Sequence, residues 1–221
     1  MSPKRTAFFC FVTNVTRIFC AYKNFSLTLP LKYSVNENQT MANEIQQFEE
    51  KLREDLHQYL LAMKEADERQ PDCPDVEGKW EEIAQSYLPD GIREFKDYPT
   101  SSLGWMMYIG MAVTAYWDTE WNVYADMTDI YTFIRDKRGY DALDEYVREE
   151  VLQLKGAEYD ALERLVGECA SRICNALRRQ NFEPGTKTAF DAYVACLHQM
   201  YLAGIAIQLK RMGYRMVEVR G

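Results

Sequence analysis

The sequence predicts an all-α protein, a single-domain bundle of six or seven helices, and three observations favour this class. Apolar residues recur every three or four positions along most of the chain, which is the spacing of one face of an α-helix. Two segments, at about 101–137 and 186–212, are so apolar that we expect them to be the two central helices of the bundle. No segment repeats at a period of roughly 20 to 50 residues, which argues against a solenoid.

Composition and charge restrict the class of partner. The 221 residues are 47% hydrophobic and 27% charged, as expected for one globular domain with a substantial core. Residues 1–40 hold five basic residues and one acidic residue, so the remaining chain carries 21 basic against 33 acidic side chains. Such an acidic body argues against nucleic acid as a partner. No apolar span of about 18 residues occurs, so we predict no transmembrane helix and no membrane partner.

The six cysteines indicate a reducing compartment. No two of them form a CxxC pair, and none has the spacing of metal ligands. Cys169 and Cys196 lie within helical patterns, where we interpret them as small core residues. A disulfide framework is not expected in a chain of this size without a clear export signal. We therefore predict a cytoplasmic protein.

Residues 1–40 differ from the rest of the chain in charge and pattern. We expect them to be an N-terminal extension outside the core, with 41–221 as the helical-bundle domain. The interpretation we favour is a misassigned start, with translation beginning at Met41, where MANEIQQFEEKLRED opens directly into an amphipathic pattern. A signal peptide and an organelle transit peptide are the alternatives, because the segment is basic. If the segment is structured, its alternating residues predict an edge strand at 27–35 paired with 215–219.

Two helices are predicted before the central segment. The first spans 43–69, with Phe48 and Leu52 among its periodic apolar residues. The sequence PDCPD breaks this helix, and Asp75 is expected to cap a second helix, VEGKWEEIAQSYL, that ends before Pro89. The loop that follows leads into the central segment.

The central segment at about 101–137 is expected to be one helix with an apolar core face. Gly110 lies among bulky residues on it and would let a second helix approach closely. Glu120 falls near the middle of the same face when about 100° is assigned to each residue, so we expect it to point inward. A helix break near Asp118 is the alternative and would reset these angles. Gly139 is expected to end the helix.

Three helical stretches follow in the remaining chain. Residues 140–155 and 158–181 each place their apolar residues on one face, and Gly156 separates them. The segment 186–212, capped by Thr186, is apolar nearly all round. A helix of that kind is expected to be surrounded by others.

Three residues are candidates for chemistry: Glu120, Glu150 and His198. If they converge, they would form a Glu/Glu/His set for a divalent metal or an acid–base pair in a cleft. The alternative is structural. Glu120 would then be a buried partner of a Tyr, Trp or Arg, Glu150 an exposed residue, and His198 a core histidine bonded to a tyrosine or a backbone carbonyl. We assign no catalytic, metal-binding or cofactor-binding residue beyond these candidates.

Several classes of enzyme lack their residues here. The chain has two histidines, so a three-histidine metal site cannot come from one chain. Di-iron bundles use two Glu-x-x-His pairs. Only Glu54 and His57 have that spacing, and Glu54 points away from the apolar face of its helix. The motifs GxxxxGK[ST], GxGxxG and GxSxG are absent.

The aromatic content favours a contact surface. Most of the fifteen tyrosines and four tryptophans fall on helical core faces, but Trp80 and Trp121 do not fall clearly inward and are candidates for a contact. Our leading hypothesis is a non-enzymatic, cytoplasmic interaction or regulatory module that binds a protein partner or forms a homo-oligomer. The alternative hypothesis is a small helical metal-dependent hydrolase that uses inward carboxylates. No cofactor is predicted.

Overall fold

The computed structural model describes residues 35–70 and 72–215, with side chains from residue 41 onward. All regular structure in these residues is helical, which confirms the all-α class. The helices are α1 (Val35–Ala62), α2 (Pro74–Glu77), α3 (Trp80–Phe95), α4 (Pro99–Thr119), α5 (Trp121–Asp126), α6 (Ile130–Arg138), α7 (Leu143–Tyr146), α8 (Ala157–Arg179) and α9 (Lys187–Arg211). Six of these have nine residues or more.

Helices α4 and α9 form the centre of the bundle, as predicted, and they make the most extensive contact among the described helices. Every residue of α4 from Ser102 to Tyr116 is buried except Trp105. Among the described residues, α9 is the one helix long and apolar enough to cross a membrane, and 83% of its apolar stretch is covered by the rest of the bundle. That is the environment of a core helix.

The two central helices run in the same direction. Near their first residues, the hydroxyl groups of Ser102 and Tyr193 lie 2.7 Å apart. At their far ends, the rings of Trp117 and Tyr214 have centroids 5.8 Å apart. Parallel helices need a long connection between them, and α5 to α8 supply it.

Two glycines allow the central helices to touch backbone to backbone. A Cβ on Gly110 would lie 2.3 Å from the carbonyl oxygen of Tyr201, and one on Gly204 would lie 2.2 Å from that of Met107. Contacts this short are not compatible with a side chain. The close approach predicted at Gly110 is therefore confirmed, and Gly204 provides the matching position on α9.

The outer helices cover this central pair. α8 packs on α4, α1 packs on α9, and α3 packs on α4. Cys169 of α8 and Cys196 of α9 are buried free thiols, as predicted. The predicted cap of α9 is confirmed, since the hydroxyl of Thr186 accepts a hydrogen bond from the Ala189 N–H at 3.2 Å.

The expectation of one continuous helix over 101–137 is wrong. The chain breaks at Glu120, which leaves the helical region at φ −134° and ψ 57°, and again at Met127, which is extended. The second break is followed by a new cap, because Asp129 accepts a hydrogen bond from the Thr132 N–H at 3.0 Å. The polar residues Asp118 to Glu120 offer no core contact that would favour continuing the helix.

The second predicted helix differs at both ends. Asp75 does not cap it but lies in the first turn of the short α2, which has Pro74 at its first position. The longer α3 begins at Trp80 and continues through Pro89 to Phe95. Proline inside a helix removes one hydrogen bond, and the burial of Tyr87 and Leu88 just before it offsets that loss.

The predicted helix at 140–155 is divided into three pieces. A 3₁₀ turn at Tyr140–Ala142 leads into the four-residue α7, and a π-helical turn at Val147–Val151 follows it. Gly139, at φ 87°, ends α6 as predicted. The wide π turn leaves Val147 and Arg148 buried against the bundle.

Several predictions concern residues outside those described. They are residues 1–34 of the extension predicted at 1–40 and most of the edge strand predicted at 27–35 with its proposed partner. Val35, the last residue of that strand, is described and is helical. The helical backbone of α1 begins at Val35, six residues before Met41. The start at Met41 stays a prediction.

Candidate functional site

The two predicted carboxylates lie on the surface. Glu120 is exposed and forms the junction between α4 and α5, where its backbone N–H donates to the Tyr116 carbonyl at 2.9 Å. The expectation that Glu120 points inward is wrong, because the break of the helix at this residue resets the direction of its side chain. Glu150 is also exposed and accepts a hydrogen bond at 2.9 Å from Arg138.

His198 is held in a polar cluster between α1 and α9. Its Nδ1 lies 2.6 Å from Oε1 of Glu49, and the same oxygen accepts a hydrogen bond at 2.9 Å from the Gln199 amide. Its ring stacks on that of Trp80 with centroids 4.7 Å apart. The partner of His198 is thus a carboxylate, where the sequence predicted a tyrosine or a backbone carbonyl.

The three candidates do not form one site. Glu120 lies at the α4–α5 junction, Glu150 pairs with α6, and His198 pairs with α1. Within the described ranges, no three His, Cys, Asp or Glu side chains are grouped as metal ligands would be. The hydrolase hypothesis required inward carboxylates, and these residues do not supply them.

The two tryptophans named as contact candidates differ. Trp80 is 6% exposed and packs between His198 and Tyr201, so its assignment to the surface is wrong. Trp121 is 55% exposed. It is the first residue of α5, where the chain turns away from the end of α4.

Trp121 belongs to an aromatic and acidic surface at the ends of the two central helices, which we name the Trp121 surface. Its members are Trp117, Asp118, Glu120, Trp121 and Tyr214. The Tyr214 ring packs on Trp117, and its hydroxyl donates to Oδ1 of Asp118 at 2.6 Å. This contact joins the end of α4 to the residues just beyond α9. The surface thus has a defined shape although it is open to solvent.

The base of the Trp121 surface is rigid. The Trp121 ring packs on Tyr124 with centroids 5.5 Å apart, and the Tyr124 hydroxyl donates to the carbonyl of Asp75. Burial raises the pKa of Tyr124 to about 12, so this donor keeps its proton at neutral pH. Lys79 lies 5.5 Å above the Tyr124 ring and is held by Glu82 at 3.4 Å.

A second concave feature lies between α1 and α9, and we name it the α1–α9 pocket. Its volume is about 130 Å³. Leu56 and Leu60 of α1 and Ala203 of α9 are the buried apolar residues at its base. Arg53 of α1 and Glu77 of α2 also line it, so both signs of charge border an apolar floor.

These two features are the candidates for binding that we consider among the described residues. Comparison of the chain with protein-family models, with curated proteins and with solved structures finds no match. The function proposed below therefore rests on the contacts, burial and charge of the Trp121 surface.

Proposed function

We propose that this protein is a non-catalytic interaction module that binds a positively charged protein partner through the Trp121 surface. The observation that carries the proposal is the exposure of Trp121, 55% of which faces solvent on a rigid base. Tryptophan and tyrosine are enriched among the residues that supply most of the binding energy at protein interfaces. An exposed indole packed on Tyr124 fits that role.

The charge of the surface favours a basic partner. Asp118 and Glu120 belong to the surface, and Asp126 lies exposed at the end of α5. Lys79, which lies over the Tyr124 ring, is engaged by Glu82 and by the Met127 carbonyl. Arg215, which follows Tyr214, donates to the backbone carbonyls of Lys210 and Tyr214. A Lys or Arg of a partner would meet carboxylates at the edge of the surface and would gain further from the face of the indole ring.

The same charges disfavour a second copy of this chain. A symmetric dimer places the same patch on both sides of the interface. Asp118 and Glu120 would then face acidic residues of the other copy, and the chain as a whole carries a net charge of −8. We therefore favour a different protein over a homo-oligomer. The proposal includes a cytoplasmic location, which the free thiols of the buried cysteines support.

The proposal is tested by comparing two exposed aromatic residues. Tyr98 is 62% exposed and precedes α4, roughly 30 Å from its other end. Proteins captured by the full chain are identified and purified, and their binding to the wild type, to Trp121→Ala and to Tyr98→Ala is measured. We expect Trp121→Ala to weaken binding at least tenfold, whereas Tyr98→Ala leaves it unchanged.

Two further measurements complete the test: the effect of a charge change on association, and the mass of the purified chain in solution. Glu120→Gln should slow association and reduce its dependence on salt. Equal binding by Trp121→Ala and the wild type would contradict the proposal. The purified chain could also prove to be a dimer by light scattering that Trp121→Ala dissociates. That result would show that the Trp121 surface binds a second copy of the chain rather than a different protein.

A further inference from the structure

We propose that the α1–α9 pocket is a binding site for a small aliphatic α-amino acid. The site is independent of the Trp121 surface, since α1 and α2 supply most of its polar lining. Three properties of the pocket support this ligand class: its size, its apolar floor and the two opposite charges that line it.

The size and floor fit a branched aliphatic side chain. The pocket has a volume of about 130 Å³, and apolar cavities of roughly 150 Å³ accept a molecule as large as benzene. Leu56 and Leu60 are each 2% exposed and Ala203 is 7% exposed, so the floor is closed by well-packed side chains. A four-carbon side chain such as that of leucine would fit there, with its polar head at the open mouth.

The charges fit the head group of an amino acid. Arg53 forms no ion pair within the described part of the chain. Glu77 accepts one hydrogen bond, from the Cys73 N–H at 3.0 Å, and within the same ranges it also has no cationic partner. Two charges of opposite sign thus line one pocket without neutralising each other. A carboxylate would pair with Arg53 and an ammonium group with Glu77.

The polar groups around these charges are already fixed. His57 also lines the pocket, and its Nε2 lies 2.9 Å from the carbonyl oxygen of Asp67. Gln199 donates its amide to Glu49 at 2.9 Å. Because both groups have partners, Arg53, Glu77 and the Gln70 amide are the polar lining groups left to recognise a ligand, and Arg53 and Glu77 are the charged ones.

Three small molecules measure the contributions of the two charges separately. The probes are leucine, 4-methylpentanoate, which lacks the ammonium group, and 3-methylbutylamine, which lacks the carboxylate. Their binding to the full chain is followed by NMR of methyl groups, with Leu56 and Leu60 as reporters. We expect leucine to shift these methyl signals and to bind about tenfold more tightly than either single-charge probe.

Two variants assign each charge to its group. Arg53→Gln should weaken leucine and 4-methylpentanoate about tenfold and leave 3-methylbutylamine unchanged. Glu77→Gln keeps an oxygen for the Cys73 N–H and should weaken leucine and 3-methylbutylamine only. The matched controls are Arg178→Gln and Glu183→Gln, which change exposed residues of the same types elsewhere.

Each remaining outcome would overturn the assignment. They are the absence of any shift at Leu56 and Leu60 with leucine, equal affinity for all three probes, and equal effects of Arg53→Gln and Arg178→Gln. Trp121→Ala should leave leucine binding unchanged, so the two proposals fail or succeed separately.

Discussion

Gly110 and Tyr201 meet at the closest approach of the two central helices, where a Cβ on Gly110 would lie 2.3 Å from the Tyr201 carbonyl oxygen and 3.2 Å from its carbonyl carbon. The obstacle is backbone, which cannot rotate away as a side chain does. The close contact therefore depends on the absence of a side chain at this position.

Gly110→Ala should destabilise the protein by at least about 3 kcal/mol, because the two helices must separate to admit one methyl group. The control is Gly167→Ala in α8, where a Cβ would meet nothing within 4 Å. That change should stabilise the protein by up to about 1 kcal/mol through helix propensity. Urea unfolding measures both, and similar values for the two variants would contradict the close contact.

Glu49→Ala should destabilise the protein by about 2 kcal/mol, since it leaves the His198 ring and the Gln199 amide without their shared acceptor. Glu54→Ala is the control on the same helix. Glu54 is exposed, so its removal should change the free energy of unfolding by no more than about 0.5 kcal/mol. A small effect of Glu49→Ala would show that the cluster contributes little to holding α1 against α9.

Arg148→Met should destabilise the protein by about 2 to 3 kcal/mol. Arg148 is 3% exposed, donates a hydrogen bond to Asp144 at 2.6 Å, forms an ion pair with Glu163 at 3.1 Å and packs on the Tyr159 ring at 4.0 Å. Its loss leaves the partly buried Asp144 carboxylate without its cation, whereas the exposed Glu163 is solvated in either case. Arg138→Met removes an exposed arginine that also bonds two carboxylates, and its effect should be clearly smaller. Equal losses in chemical denaturation would argue against burial as the cause.

Stability should fall as the pH rises above about 9. Burial raises the pKa of Cys169 from 9.0 and of Tyr124 from 10.0, in each case to about 12. Each group loses its proton at a lower pH in the unfolded chain than in the folded protein, where burial disfavours the charged form. Raising the pH therefore stabilises the unfolded chain and lowers the free energy of unfolding. The stabilising effect is complete below about pH 9 and is lost as the pH approaches 12.

Urea unfolding at a series of alkaline pH values measures this loss. Tyr124→Phe should reduce its slope above about pH 10, because one of the responsible protons is removed. A free energy of unfolding that stays constant between about pH 8 and about pH 11 would contradict the assignment.

The sequence predicted the fold well where one periodic pattern covers a whole element. The central positions of α4 and α9 and the close approach at Gly110 follow from apolar residues alone. The prediction failed where a helical-wheel angle was extended past a residue at which the helix ends. Glu120 points outward because α4 ends before it. Trp80 was missed for a different reason, since Ile83, Ala84 and Tyr87 follow it at helical spacings and share its buried face wherever α3 begins.

The polar contacts were harder to predict because they join distant segments. Glu49 lies between Leu56 and Leu60 on the helical wheel of α1, and this was a usable signal that it faces the core. Its partner His198 is 149 positions away in sequence. The exposure of Trp121 was anticipated in part, but its contact surface depends on Tyr214, which comes from the other end of the chain.

The parallel course of α4 and α9 has a consequence for biosynthesis. The Ser102–Tyr193 contact at their start spans 91 positions of sequence. During synthesis, the apolar face of α4 is therefore exposed to solvent long before α9 leaves the ribosome. Until then, Met107, Ile109 and Met111 have no cover from the last helix. A nascent chain halted before residue 187 would lack α9, the helix that covers its core, and would require a chaperone to stay in solution.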